Sequence, residues 1–207
     1  MNDVLEKFDR IADGYSEHDY ADPARYAAHR AKLIVELGTR LEPGATVLDL
    51  GCGDGIMAAA LGGYGLRYRG VDASEGMVAA ARARNPGLPF DHGRSEEYEP
   101  PEPVDAAVCL RSFYYPADRR AFFRRVAGYT RLKFVFDFRP RVHDAASVVA
   151  DLEAAGFQRI ALRPFFLPQL RRLPGAVVPL VYAAERTGPL GRLATRRAGR
   201  LFCAAHV

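Results

Sequence analysis

The sequence is poor in three residue types that mark particular protein classes. It has no tryptophan, three cysteines and only three lysines among its 207 residues. The cysteines Cys52, Cys109 and Cys203 lie far apart and form no Cys-x-x-Cys pair. Neither a disulfide framework nor a zinc site is therefore expected. Carboxylates do not cluster in the way that a catalytic metal requires, so no metal is predicted.

Long apolar runs are also missing. The first ten residues, Met1–Arg10, are polar and mixed in charge, unlike a secretory leader, so we expect a cytoplasmic protein. The most apolar stretch follows Pro164, but prolines at 168, 174 and 179 interrupt it. It is too short and too broken to span a bilayer.

The excess of basic over acidic residues does not by itself indicate a nucleic-acid partner. The formal net charge is +4 and the pI is near 9.1. Arginines concentrate at 119–131 and 163–200, and the first group fits the solvent-facing side of a helix. No recognised nucleic-acid module accompanies them, so no nucleic-acid partner is predicted.

Segments with strand-like and helix-like patterns alternate along the chain, as in a parallel sheet covered on both faces. With 49% hydrophobic and 26% charged residues, the composition fits one globular domain. The sequence predicts an α/β fold: a doubly wound, mostly parallel, seven-stranded sheet with helices on both faces. The predicted strands are Thr46–Leu50, Tyr68–Asp72, Leu88–Asp91, Val104–Leu110, Leu132–Phe138, Phe157–Arg163 and Leu201–Val207. The predicted helices of the sheet region are Ile56–Leu61, Glu75–Arg84, Ala117–Tyr129 and Ala145–Ala155.

The most informative motif is a predicted strand that opens into three glycines, Gly51, Gly53 and Gly55. Glycine lets the backbone bend sharply and leaves no Cβ between the chain and a ligand. A Walker-type phosphate loop is excluded, because no lysine or hydroxyl residue occurs from 47 to 63. A dinucleotide loop is disfavoured, because its third small residue would fall at Ile56.

With Asp49 in front, the three glycines match the loop Asp/Glu-x-Gly-x-Gly-x-Gly at every position. A second acid, Asp72, ends the next predicted strand about twenty residues later, where nucleoside-binding sheets place an acid on the ribose hydroxyls. The segment resembles motif I of the class I S-adenosylmethionine (SAM)-dependent methyltransferases. The resemblance implies SAM as cofactor, methyl transfer as activity and an antiparallel last strand. It assigns cofactor binding to Tyr15, Asp49, Gly51, Cys52, Gly53, Gly55, Asp72, Ala73, Met77, Arg94, Ser95, Leu110 and Arg111.

One position departs from the family pattern. After the third strand the family commonly has an acid that bonds the adenine amino group, and here Arg94 stands in its place. The adenine contact therefore differs from the usual one, with the backbone of Arg94 and Ser95 left to frame the ring.

The acceptor is less well defined. After the fourth strand, Cys109–Tyr115 lacks the Asn/Asp-Pro-Pro-Tyr/Phe pattern of enzymes that methylate amide or exocyclic amino nitrogens. We expect a small acceptor molecule, apolar or aromatic in character. A single base that removes the acceptor proton is all the catalytic machinery such an enzyme needs. The candidates for that base are His143, Tyr114 and His18, with His29 a further histidine.

The resemblance divides a single methyltransferase domain, 1–207, into four parts. Residues 1–41 form an N-terminal helical lid, with helices at Val4–Ala12 and Pro23–Leu41 and a polar, aromatic loop between them. Residues 42–163 form the SAM-binding core, 164–199 an insertion and 200–207 the last strand. We expect the insertion to cover a hydrophobic acceptor, or to dock on a partner or a membrane surface.

Two other functions fit the same sheet. A nucleotide-linked oxidoreductase would use a similar glycine loop, although the misplaced third glycine counts against it. A protein that keeps the SAM fold as a non-catalytic binding module is the other alternative.

Overall fold

A computed structural model describes residues 2–186 and 199–207. Within these residues seven strands form one sheet in the order β3-β2-β1-β4-β5-β7-β6. The first five strands are parallel to one another, and β7 runs antiparallel between β5 and β6. The predicted doubly wound sheet and its antiparallel last strand are confirmed. The strands are β1 (Thr46–Leu50), β2 (Arg67–Asp72), β3 (Phe90–His92), β4 (Val104–Cys109), β5 (Thr130–Phe138), β6 (Gln158–Phe165) and β7 (Arg200–His206).

The helices follow the predicted segments closely where capping residues mark their ends. Ser74 and Asp144 each accept a hydrogen bond from the backbone N–H three residues later, at the start of a helix, as N-cap residues do. The helices are α1 (Asn2–Ile11), α2 (Tyr15–Asp19), α3 (Pro23–Glu36), α4 (Ile56–Gly62), α5 (Glu75–Arg84), α6 (Arg119–Tyr129), α7 (Ala145–Ala154) and α8 (Val178–Glu185).

Both faces of the sheet are buried, which is why the strands are apolar along most of their length. On one face Phe134 and Phe136 of β5 pack with α6 and α7. On the other face Val135 packs with α3, α4 and α5. The three cysteines lie within this core, at Cys52 after β1, Cys109 at the end of β4 and Cys203 in β7.

Three expectations about the segments outside the core need correction. The stretch 13–20, expected as a loop, contains the short helix α2, and α3 ends at Glu36 rather than at Leu41. Strand β6 continues to Phe165, so that Pro164 pairs with Leu201, which is possible because β6 is an edge strand. The insertion contains helix α8, while its residues 187–198 lie outside the described part of the chain. No helix among the described residues has the length and apolar character needed to cross a membrane.

The strand order brings the functional candidates to one edge of the sheet. The chain moves from β1 outward to β2 and β3, and then returns across β1 to β4 and β5. The carboxyl ends of β1 and β4 therefore flank the point at which strand order reverses, where doubly wound sheets bind their ligands.

Candidate active site

A cavity of about 270 Å³ lies at this point, below α1 and α2. It is formed by the loops that follow β1, β2, β3 and β4, and by side chains of the first three helices. Of the thirteen residues assigned to cofactor binding, all but Gly55 line it: Tyr15, Asp49, Gly51, Cys52, Gly53, Asp72, Ala73, Met77, Arg94, Ser95, Leu110 and Arg111.

The three glycines share a left-handed backbone, with φ of 73°, 56° and 73°, but each is needed for a different reason. A Cβ on Gly51 would lie 2.6 Å from the hydroxyl oxygen of Ser112, so Gly51 permits the loop after β4 to approach. A Cβ on Gly55 would meet Asn85 at 2.8 Å and Ala81 at 3.0 Å. Gly55 thus packs against α5 instead of facing the cavity, contrary to its expected cofactor contact. Gly53 has open space in front of it and is the glycine that leaves room for a ligand.

Asp72 connects the glycine loop to the end of β2. One carboxylate oxygen accepts the backbone N–H of Gly53 at 2.8 Å, and the other accepts that of Ser74 at 2.9 Å. Burial raises the pKa of this carboxyl, while its backbone hydrogen bonds act in the opposite direction. Asp72 does not cap α5, since Ser74 does so. Its remaining lone pairs are available to a ligand in the cavity.

Asp49 lies at the base of the cavity, 2% exposed. Its carboxylate accepts a hydrogen bond from the Tyr68 hydroxyl at 2.9 Å. Burial raises the pKa of Asp49 to about 7, because a low-dielectric environment disfavours the charged form. A ligand cation beside it would favour the ionised carboxylate. The neighbouring Cys52 is buried, which raises the pKa of its thiol and makes it a packing residue, not a nucleophile.

Helix α1 is attached to the cavity rim by Asp9. The Asp9 carboxylate accepts the Ser74 hydroxyl at 2.6 Å and the backbone N–H of Gly76 at 3.1 Å. These hydrogen bonds lower the pKa of Asp9. Phe8 on the same helix lines the cavity and contacts the rings of Tyr15 and Tyr115 edge to face.

Helix α2 is attached to the glycine loop itself. The buried Asp54 carboxylate accepts the backbone N–H of Ser16 at 3.0 Å and its hydroxyl at 2.7 Å. Arg84 of α5 donates to the same carboxylate at 2.8 Å and to Glu17 at 2.9 Å. Two separate anchors therefore hold the N-terminal helices over the cavity.

The loop after β3 places an acid near the position where the family commonly has one and this chain has Arg94. Arg94 forms an ion pair with Glu96 and lies 3.5 Å from Glu97. Arg94, Ser95 and Glu96 all line the cavity. A carboxylate is therefore present two residues after the expected position.

The proposed catalytic bases do not lie in the cavity. The ring of His143 stacks on Tyr114 at 6.0 Å and contacts Phe113, outside the cavity lining. His18 is exposed and its Nδ1 lies 2.7 Å from the Gly14 carbonyl. His29 is buried against Glu185 of α8 at 2.6 Å. Among the described residues no histidine lines the cavity.

Two of the polar residues that line the cavity are not predicted from the sequence. Arg30 and Asp54 line the cavity, and the sequence predicts no role for either. Ser16 and Tyr20 also line it and belong to the polar, aromatic segment at 13–20. Asp54 lies between Gly53 and Gly55, and this position in the glycine loop is its one signal in the sequence. Tyr115, two residues from the buried Phe113, is the ring of the Tyr114–Tyr115 pair that reaches the cavity.

Comparison with known proteins agrees with this geometry. A family model described as a methyltransferase domain matches residues 47–132, from β1 into β5. Trans-aconitate 2-methyltransferase of Acidovorax ebreus (strain TPSY) is 33% identical over 116 residues, which are 53% of this chain and 45% of that protein. The chain spans about half the length of the curated relatives it matches.

Solved structures are similar over nearly the whole chain. A chain of the complex between the Haloferax volcanii Trm112 methyltransferase activator and a methyltransferase superposes with a TM-score of 0.67 at 22% identity, covering 96% of both chains. Magnesium protoporphyrin IX methyltransferase from Synechocystis PCC 6803, crystallised with SAM, gives 0.60 at 18% identity and covers 98% of this chain and 83% of that one. At these identities the similarity concerns the fold. Residues 47–132, which carry the glycine loop, thus match a methyltransferase-domain model, and the sheet has the same fold as solved SAM-dependent methyltransferases.

Proposed function

We propose that the protein transfers a methyl group from SAM to a small molecule with an apolar or aromatic body. The observation that carries the proposal is the convergence of the Gly51–Gly55 loop, Asp72 and two anchored helices on one cavity. Relatives at low identity include a methyltransferase named for the small molecule trans-aconitate, which supports an acceptor of this size.

The residues present suit SAM. Open space at Gly53 gives the cofactor room against the loop. Asp72 would accept the ribose hydroxyls, as acids at this position do in nucleoside-binding sheets. Met77 and Ala73 would pack beside the adenine, with Glu96 as the nearby acid. Asp49, whose pKa is about 7, would be held ionised by the amino group of the cofactor.

Methyl transfer from a sulfonium is an in-line displacement with a good leaving group, so alignment of the two reactants supplies most of the catalysis. When bound, SAM supplies the electrophilic methyl group. The protein's part is to fix the acceptor and to exclude water, which α1 and α2 do by covering the cavity.

The acceptor end of the cavity is aromatic. Phe8, Tyr15, Tyr20 and Tyr115 all line it, and such rings bind flat or apolar molecules over a large contact area. The first part of the insertion also reaches this end, since the Gln169 side chain donates to Asp19 at 2.7 Å. We therefore propose that the described part of the insertion, residues 164–186, helps to enclose the acceptor. Contact with a partner or a membrane through the exposed Leu170 and Leu180, and a cytoplasmic location, remain predictions.

Calorimetric titration with SAM, S-adenosylhomocysteine (SAH) and NAD tests the cofactor. We expect SAM and SAH to bind and NAD not to bind, and we expect Asp72→Asn to weaken both cofactor forms. Binding of NAD without SAM would overturn the proposal in favour of an oxidoreductase.

Methyl transfer itself is tested with deuterated SAM. The protein is incubated with the label and fractionated cell extract, and small molecules are analysed by mass spectrometry for a +3 Da methyl group. A labelled product that depends on the wild-type protein and disappears with Asp72→Asn supports the enzyme. SAM binding without any labelled product in all fractions would support the non-catalytic binding module.

A further inference from the structure

Five charged side chains meet beyond the carboxyl ends of β4 and β5. We call them the β5 charge cluster: Arg30, Arg111, Arg200, Asp19 and Asp137. The fully buried Asp137 carboxylate accepts the backbone N–H of Arg111 at 2.6 Å and the Arg200 guanidinium at 3.0 Å. The Arg30 guanidinium lies 3.5 Å from the same carboxylate. The Arg111 guanidinium pairs with Asp19.

The β5 charge cluster carries more positive than negative charge. It contains three guanidinium groups and two carboxylates, and a buried charge is unfavourable without a partner. Moreover, the Nε–H groups of Arg30 and Arg111 are buried and have no hydrogen-bond partner within the described residues. Both side chains line the cavity, and Arg30 is only 3% exposed. A ligand anion would supply the missing negative charge and the missing acceptors.

The backbone of Arg111 is held in an uncommon conformation at the cavity wall. Its φ is 61°, a left-handed conformation that is uncommon and unfavourable for a residue other than glycine. The hydrogen bond from its N–H to Asp137 maintains this conformation. The Arg111 guanidinium also donates to the Tyr20 hydroxyl at 2.7 Å. The side chain is thereby fixed at the cavity wall before any ligand arrives.

The position of the cluster separates it from the groups expected to hold the nucleoside. Asp72 and Met77 lie at β2 and α5, on one side of β1. The cluster belongs to α2, α3, the loop after β4, the end of β5 and the start of β7, on the other side. If the nucleoside occupies the β1–β2 side, as the proposed function requires, the cluster faces the acceptor.

We propose that Arg30 and Arg111 form an anion-binding subsite that selects a carboxylic acid as the acceptor of the methyltransferase. This inference rests on the proposed function and adds a negative charge to the apolar or aromatic body of the acceptor. Guanidinium and carboxylate groups match in geometry and form charge-assisted hydrogen bonds, which are stronger than neutral ones. A neutral analogue of the same shape lacks that interaction and supplies no negative charge to the cluster.

The test compares acids with their carboxamides on the SAH-loaded protein by ligand-observed NMR titration. The probes are benzoate, trans-cinnamate and hexanoate, each paired with its amide. We expect at least one acid to bind about tenfold tighter than its amide, the difference typical of a hydrogen bond to a charged group. Arg111→Met should remove this preference and Arg111→Lys should keep part of it, because lysine retains the charge but not the planar donor pair. The matched control is Arg125→Met, which removes an exposed arginine paired with Glu99.

A second arm separates the acceptor's carboxylate from that of the cofactor. The affinities of SAH and of 5′-methylthioadenosine, which lacks the amino-acid portion, are measured in wild type and in Arg111→Met. We expect the ratio of the two affinities to change by less than about twofold, because an Arg111 that faces the acceptor does not contact the amino-acid portion by which the two ligands differ. A selective loss of SAH affinity would show that the cluster binds the cofactor, and would overturn the inference.

The remaining outcomes are also decisive. Equal binding of acids and amides by a wild-type protein that still binds SAH would overturn the subsite and leave the cofactor site standing. Failure of SAH to bind would instead refute the proposed function. The acid–amide comparison is therefore repeated on the ligand-free protein, where a preference that depends on Arg111 would still support the anion subsite.

Discussion

Gly76 provides a way to displace α1 without altering a single cavity residue. A Cβ at this position would lie 3.0 Å from both the Cα and the carbonyl oxygen of Asp9, closer than real Cβ contacts normally come. Because the obstructing atoms are backbone, a rotamer change cannot relieve the clash. Gly76→Ala should therefore move α1 away from α5 by a few tenths of an ångström and weaken its attachment through Asp9.

The expected size of the effect follows from the cost of overpacking, about 1–3 kcal/mol when structure must shift to admit a methyl group. Helix α1 is peripheral and can yield, so the cost should fall at the lower end. If α1 encloses the cofactor, the Kd for SAM should rise about five- to thirtyfold, which corresponds to about 1–2 kcal/mol. The fold itself should be nearly unaffected, because alanine is favoured over glycine within a helix by up to about 1 kcal/mol.

Gly128→Ala is the matched control. Gly128 lies in α6, and a Cβ there would meet nothing within 4 Å, so the same chemical change occurs without a clash. Calorimetric titration with SAM and thermal unfolding are measured for both variants. We expect unchanged SAM affinity in Gly128→Ala and a Tm within about 4 °C of wild type in both, as a change near 1 kcal/mol implies for this chain length. SAM affinity equal to wild type in Gly76→Ala would refute the idea that α1 closes the cofactor site.

Three further changes test individual contacts. Asp72→Asn should raise the Kd for SAM by about tenfold or more, since hydrogen bonds to a charged group contribute about 1.5–3 kcal/mol; unchanged calorimetric affinity would remove Asp72 from the ribose site. Ser16→Ala removes one of the hydrogen bonds between α2 and Asp54, so SAM should dissociate several-fold faster in stopped-flow measurements. An unchanged dissociation rate would mean that α2 does not retain the cofactor. Burial raises the pKa of Asp49 from 3.8 to about 7. Between these pH values the folded chain therefore binds more protons than the unfolded chain. As a result, Asp49 makes the ligand-free protein less stable as the pH rises from about 4 to about 7. Asp49→Asn should therefore match wild type near pH 4 and exceed it in urea denaturation at pH 8, by at most roughly 4 kcal/mol, whereas equal stability at both pH values would contradict the raised pKa.

The fold was predictable because its signals are local. Apolar runs that end at glycine or at an acid give β1 and β2, and the Ser74 cap fixes the first residue of α5. Helix α2 was missed because five residues are too few to show a helical period, and because it is held in place by Asp54.

The candidate site was predictable only where one short segment carries the pattern. The glycine loop does so, and its residues line the cavity apart from Gly55, whose packing partner Ala81 lies on another element. Arg30 shows the opposite case. It lies on a helix with an apolar face, and only the tertiary fold brings it to Asp137, which is more than a hundred positions away in sequence. Contacts of this kind leave no local trace in a single sequence.

The three cysteines have a practical consequence. Cys52, Cys109 and Cys203 are at most 6% exposed, and burial raises the pKa of each thiol, so each stays protonated and shielded from reagents. Modification of any one of them therefore requires the surrounding structure to open first. Cys52 reports on the glycine loop, Cys109 on the end of β4 and Cys203 on the antiparallel strand that closes the sheet. The three thiols are thus native probes of local opening. Their labelling rates with and without SAM would rank these three regions by stability, and no probe needs to be introduced.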